Sequence, residues 1–274
     1  MFVAAATPFD HTGAIYRAKV QHNFDKWSRT AVAGFLVGGV SGEGAFLDAA
    51  EKIELVTLAR PVVPGGRTIL ADVSGEGADN AAKLAQAVAS AGADAVVSSA
   101  PRLYPGTAPL YFRTLADRSP VPVVMIGDGL TTEEIGAISA HPNIAGVIGS
   151  GRRIVEVRAA VRKDCVVLCS NEQYVWSSLK AGAAGAVLAI ASAAPYSTIA
   201  IWEAFRTREE DAGLDWQGRI AYPGELVTQG SGPAGLKHAM DLMGYYGGPP
   251  RLPLTVVSPA ARQRIEEAFR DLRG

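Results

Sequence analysis

The sequence predicts a (β/α)8 TIM barrel followed by a C-terminal helical extension, and three observations carry that expectation. Eight short apolar runs recur through the first two thirds of the chain, and most are followed by a segment with helical spacing. Within each run the apolar residues are consecutive rather than alternating, the pattern of strands buried on both faces of a parallel sheet. Eight such units in about 190 residues favour closure into a barrel over an open, doubly wound sheet. The expected division is a barrel over 1–212 and a helical region packed on it over 213–274.

The runs fall at 3–6, 34–37, 68–72, 93–98, 121–126, 144–148, 166–169 and 185–190. Phe2-Val-Ala-Ala-Ala6 is apolar but short and lacks a basic flank, so it reads as a first buried strand rather than a secretory signal. After the third run, Ala and Leu recur at helical spacing over 78–91. After the fifth, Thr131-Thr-Glu-Glu134 has the spacing of a capping box, a hydroxyl at the N-cap with a carboxylate three residues on. Helical patterns at 236–243 and 259–272 fill the tail, and no Gly/Ser linker or repeat divides the chain.

Composition excludes several classes. The 274 residues are 48% hydrophobic and 19% charged, with a net charge of -1, so nothing draws the chain to nucleic acid or to an anionic membrane. Apolar stretches such as 183–195 are interrupted by Gly and Ser and fall short of the roughly 20 residues a membrane span requires. Cys165 and Cys169, four residues apart on one strand, lie roughly 13 Å apart, too far for a bridge within the strand. Reduced thiols and a cytoplasmic location are expected.

Barrel enzymes place chemistry at the C-terminal ends of the strands and in the loops that follow. The second strand delivers Gly39-Val-Ser-Gly-Glu43, a turn whose glycines allow close backbone approach and whose consecutive amides suit a carboxylate. Thr7-Pro-Phe-Asp10 opens the chain, and Gly92-Ala-Asp94, Pro142-Asn-Ile-Ala-Gly146, Gly182-Ala-Ala-Gly185, Gly235-Leu-Lys-His-Ala239 and Arg251-Leu-Pro-Leu254 follow in order. On these motifs nearly the whole chain resembles the dihydrodipicolinate synthase and N-acetylneuraminate lyase family. The resemblance implies lyase or condensing chemistry on pyruvate and related 2-oxo acids. It also implies a homo-oligomer, dimer or tetramer, and no cofactor.

That chemistry needs a lysine on strand six to form an imine that drains electrons from the carbanion. It also needs a tyrosine on strand five and a hydroxyl relay in the strand-two turn to move protons. The resemblance places the lysine at Ile148, the tyrosine at Ile126 and the first hydroxyl at Val40; only Ser41 keeps a hydroxyl. Conventional imine catalysis is therefore not expected, and a protein that keeps the pocket without the reaction is.

Ligand contacts are expected from Val40, Ser41, Asp72, Tyr104, Asp128, Arg152 and Glu172, all at strand ends. Asp72 stands where the family has glycine. With Asp128 and Glu172 it could ring the mouth, which would suit a cation, an amine or a polyol, or supply oxygen ligands to a divalent metal in an altered mechanism. The plainer expectation is that these acids pair with Arg102, Arg152 and Arg153, and that no metal is held. Arg152-Arg153 could alternatively grip a carboxylate or sugar acid. The four histidines share no metal-ligating spacing, and Cys169 has no histidine partner. Among the lysines, none carries a sequence signal of a depressed pKa, and Lys237 is expected to be structural.

Overall fold

The computed structural model describes residues 1–103 and 106–272. Eight strands, β1 (Phe2–Ala4), β2 (Gly34–Val37), β3 (Thr68–Asp72), β4 (Ala95–Ser99), β5 (Val123–Ile126), β6 (Ile144–Gly149), β7 (Val166–Cys169) and β8 (Gly185–Leu188), pair in parallel in chain order. β8 returns to β1 and closes the barrel. Between and after them run α1 (Arg17–Ser28), α2 (Ala49–Ala59), α3 (Ala78–Ser90), α4 (Ala108–Arg118), α5 (Thr132–Ser139), α6 (Ile154–Ala160), α7 (Val175–Lys180) and α8 (Pro195–Thr207).

The strands are as short as the apolar runs predicted, three with the same bounds and the others with ends displaced by one or two residues. Ala5, Ala6 and Ile190 are buried although they lie outside the ladder, because the apolar run continues into loops that also pack inward. Hydrophobicity reports burial, and pairing stops sooner.

Two apolar layers hold the barrel. Its interior is filled by Ala4, Leu36, Leu70, Ala95, Val97, Val124, Ile148, Leu168 and Val187, with Phe2 and Ile126 at the edges. The outward strand residues meet the helices in a larger core. There Phe24 packs edge-on against Trp27 and Phe35 at ring separations of 5.3 and 5.1 Å. The Trp27 indole donates to the Ser192 carbonyl at 3.0 Å, so its one polar atom is satisfied in the core.

Both predicted and unpredicted caps appear. Thr131 and Glu134 form the expected capping box at α5, and Asp48 and Glu51 form a second at α2. Such caps stabilise a helix start by about 1 kcal/mol.

The C-terminal segment adds α9 (Glu210–Glu225), α10 (Gly232–Leu242) and α11 (Pro259–Ala268). α9 runs without a break across positions 212 and 213. Gly213 lets it lie flat on Trp176, since a Cβ there would come within 2.1 Å of the indole. Helix α10 starts four residues before the expected 236 because Pro233 fits a helix's first turn, and the 259–272 pattern splits into α11 and a 3-10 turn, Arg270–Leu272. No described helix is long and apolar enough to cross a membrane.

Candidate functional site at the barrel mouth

The turn after β2 is built by tight backbone approach. Gly38 takes φ +70°, and a Cβ on Gly44 would lie 1.8 Å from the Gly38 carbonyl oxygen. Val40–Gly42 form a 3-10 turn in which Gly42 N and Gly44 N donate to Gly39 O and Glu43 N donates to Val40 O. These bonds leave the Val40 and Ser41 amides outside the turn's own bonding, as expected of the leading amides of a helical turn. The Thr7 hydroxyl donates to Gly42 O at 2.6 Å and ties the turn to the end of β1. The Val40 side chain is 80% exposed, and Ser41 is half-buried.

Ile126 and Ile148 are direct register partners on β5 and β6. Ile148 is 3% exposed and belongs to the barrel's apolar interior; Ile126 flanks it with a partly exposed face. The two positions where the resemblance implies a proton-transfer pair therefore form one continuous hydrocarbon surface.

The three strand-end acids are held separately. Asp72 ends β3 on the face shared by Leu70, residues two apart in a strand pointing the same way. Its Oδ1 lies 3.3 Å from Lys52 Nζ and accepts from Ser74 N at 3.0 Å, while Oδ2 accepts from the Ser74 hydroxyl at 3.1 Å. Ser74 Oγ in turn accepts from Ser99 N at 2.9 Å. Burial pushes the Asp72 carboxyl above its ordinary range, and the Lys52 ammonium opposes that rise. Asp128 is exposed and accepts from Ser150 N at 3.2 Å.

Glu172 is buried, pressed against Gly224 of α9, and its Oε1 accepts from Ala189 N at 3.0 Å and Ile190 N at 3.3 Å. Burial raises its pKa, with the backbone donors pulling the other way. Among the described residues no three His, Cys, Asp or Glu side chains gather as a metal site. Each of the three acids is engaged within the protein by its own loop, by an amide or by Lys52, rather than by the arginines expected to pair with them.

The arginines also depart from expectation, since among the described residues neither Arg152 nor Arg153 pairs with an acid. Arg152 Nε donates to the Tyr174 hydroxyl at 3.1 Å, and its guanidinium lies 5.5 Å from that ring's centre. Arg153 donates to the carbonyls of Gly127 and Leu130. Arg102 meets Glu76 through its backbone amide, at 3.0 Å. Tyr104 lies outside the described residues. Cys165 and Cys169 are free, buried thiols whose pKa values burial raises.

Behind the turn lies a charge cluster in which the sequence showed only part of the arrangement. Glu43, in a left-handed backbone conformation at φ 58°, is buried with Lys237, their Oε1 and Nζ 2.5 Å apart. Glu43 Oε2 accepts from Arg251 N at 2.7 Å, and Lys237 Nζ donates to Pro249 O at 2.9 Å. Lys237 and Arg251 each lie 4.2 Å from the centre of the Phe9 ring. Burial lowers the Lys237 pKa to about 8 against the pull of Glu43, which corrects the expectation that no lysine here is depressed. Glu51 grips Arg251 through both oxygens, at 2.6 and 2.8 Å, which holds its carboxyl below the ordinary range.

Sequence reasoning missed Lys52 and the depressed pKa of Lys237. A signal was present: the buried face of α2 is Lys52, Leu55, Val56 and Ala59, so a lysine occupies the apolar stripe of that helix. Lys237 likewise sits among buried Ala234, Leu236, Ala239 and Met240 on α10.

Residues 1–272 match the dihydrodipicolinate synthetase family, and the chain belongs to it. It is 25% identical over 288 residues to a 4-hydroxy-tetrahydrodipicolinate synthase of Exiguobacterium sp., covering 97% of this chain and 95% of that one. It is 27% identical over 271 residues to a probable mitochondrial 4-hydroxy-2-oxoglutarate aldolase of Emericella nidulans, covering 92% and 87%. Its fold superimposes with a TM-score of 0.92 on a dihydrodipicolinate synthase from Cyanidioschyzon merolae solved with lysine bound, at 22% identity and 99% and 97% coverage.

Proposed function

We propose that this protein is a small-molecule-binding member of the family that does not run imine chemistry. Its ligand is a small carboxylate or sugar acid held at the C-terminal mouth of the barrel. The observation that carries the reading is the pairing of Ile126 with Ile148, in register, at the edge of the barrel's apolar interior. A nucleophilic lysine at that place would need a proton-transfer partner beside it, and both places are hydrocarbon. The Val40 and Ser41 amides supply the carboxylate anchor. Because Asp72, Asp128 and Glu172 are engaged within the protein, a carboxylate fits the mouth better than the cation or amine their number first suggested.

The test is trapping. Incubation with pyruvate and borohydride, followed by intact-mass measurement, should leave the mass unchanged, while thermal shift against a panel of carboxylates and sugar acids should reveal a stabilising ligand. A permanent adduct of pyruvate mass on one lysine would overturn the proposal. The protein is further proposed to be cytoplasmic and to assemble as a homo-dimer or homo-tetramer, which light scattering after gel filtration measures directly. A second reading, a lyase of altered mechanism, is favoured by the Lys52–Asp72 pair alone.

A further inference from the structure

The tail helices line a polar cleft far from the strand ends in composition and in place. It measures about 80 Å3, several times the roughly 10–15 Å3 that admits one water. Helix α10 contributes His238 and Asp241, α11 contributes Arg262, and the segment between the helices contributes apolar Pro250, Val256 and Val257. The cleft and the barrel mouth share no residue, so neither reading depends on the other.

Three polar groups meet there with unused bonding capacity. His238 Nε2 is sealed from solvent yet makes no hydrogen bond, although Glu266 Oε1 lies 3.3 Å away. Buried polar atoms are nearly always satisfied, so one with no protein partner points to a bound one. The Arg262 guanidinium, exposed at the rim, makes no hydrogen bond or ion pair among the described residues. Asp241 Oδ1 accepts from Gly247 N at 2.8 Å, which fixes the carboxylate and leaves Oδ2 to accept from a ligand.

We infer that this cleft is a binding site for the hydrogen phosphate ion. Arg262 grips two of its oxygens in a fork, and His238 Nε2, in the tautomer that carries its proton there, donates to a third. The remaining P–OH donates to Asp241. Sulfate is fully ionised at pH 7 and has no proton to give, so it would set its charge against the Asp241 carboxylate. That repulsion makes an anion site selective for phosphate. A cationic ligand is disfavoured by Arg262, whose charge is permanent.

The experiment is titration calorimetry of the full-length protein with sodium phosphate, sodium sulfate and glycerol 3-phosphate, at pH 7 and matched ionic strength. Phosphate should bind at one site, about tenfold or more tighter than sulfate, the difference one charge-assisted hydrogen bond makes. The monoester, with a second pKa near 6, is mostly unprotonated at pH 7 and should bind more weakly than the free ion. Arg262→Gln should weaken phosphate binding about tenfold or more. Asp241→Asn, which still accepts from Gly247 N, should bring sulfate affinity toward that of phosphate. Glu266→Gln removes a negative charge beside His238 and should tighten phosphate binding. All three substituted side chains are exposed, and circular dichroism establishes that each variant is folded. No phosphate binding, equal binding of sulfate or of the monoester, or an affinity untouched by Arg262→Gln overturns the inference. So does weaker binding in Glu266→Gln, the sign that a cationic ligand would give.

Discussion

The turn from Gly39 to Gly44 separates two neighbourhoods that treat charge in opposite ways. In the barrel interior below it, Ile126 and Ile148 present hydrocarbon. Behind it, Lys237, Glu43, Arg251 and Phe9 concentrate charge in a site 1% exposed at the lysine. A buried ion survives only where an opposite charge and hydrogen bonds replace its water. The clamp supplies these through Glu43, the Pro249 carbonyl and the Arg251 amide, whereas the described neighbours of Ile148 in the barrel interior are apolar side chains such as Val124 and Leu168. The comparison teaches that this chain buries charge where an opposite charge and hydrogen bonds surround it and lines the barrel interior near Ile148 with hydrocarbon.

The strongest way to break this contrast is Lys237→Met. Leaving Glu43 buried without its cation should cost about 3–5 kcal/mol in urea unfolding. A loss under about 1 kcal/mol would mean that the clamp is ornamental. The same lysine sets a pH dependence: its pKa is about 8 in the fold against an ordinary 10.5, so the unfolded chain binds more protons between those values. Stability should therefore rise from pH 8 toward 10, and Lys237→Met should flatten that rise. Above pH 10 Tyr245, raised to about 12 by burial, acts in the opposite direction.

Ile148→Lys probes the other side. An unpaired lysine in that interior should lose about 2–4 kcal/mol at pH 7, from a pKa depressed by two or three units, and should recover as pH rises. Its partner in the test is the double variant with Ile126→Tyr. A borohydride-trapped pyruvate adduct on the double variant would show that the mouth retains the frame for imine chemistry and lacks only the reacting groups. Arg251→Met, which strips the bidentate Glu51 pair and the contacts to Gly13 O and Phe46 O, should cost about 1–3 kcal/mol because its partners are half-exposed and regain water.

The fold was legible because the parallel strands are largely buried on both faces and therefore appear as near-continuous apolar runs, as at Gly34–Val37, which is buried throughout, and Val166–Cys169, where only the first residue is exposed. The site was less so. Lys52 and Asp72 are 20 residues apart, and Lys237 and Glu43 are joined only by closure of the whole chain. Which acid meets which base depends on register and helix rotation, so the sequence could place Asp72, Asp128 and Glu172 at strand ends without revealing that each was already occupied. The useful clue was local after all: a lysine on the apolar stripe of α2 announces a buried partner before that partner is known.

Val40→Thr gives the smallest expected effect and the finest discrimination. The side chain is 80% exposed, so adding a hydroxyl there should change stability by no more than about 0.5 kcal/mol. It should also yield no trapped pyruvate adduct, because the added hydroxyl can relay a proton but cannot form the imine that would need one. If ligand stabilisation in thermal shift is likewise unchanged, the anchor is the backbone of the turn, whose amides the substitution leaves in place. If stabilisation increases, the side chain at position 40 takes part in recognition, and the contrast between a preserved frame and an apolar interior must be drawn one residue further into the turn.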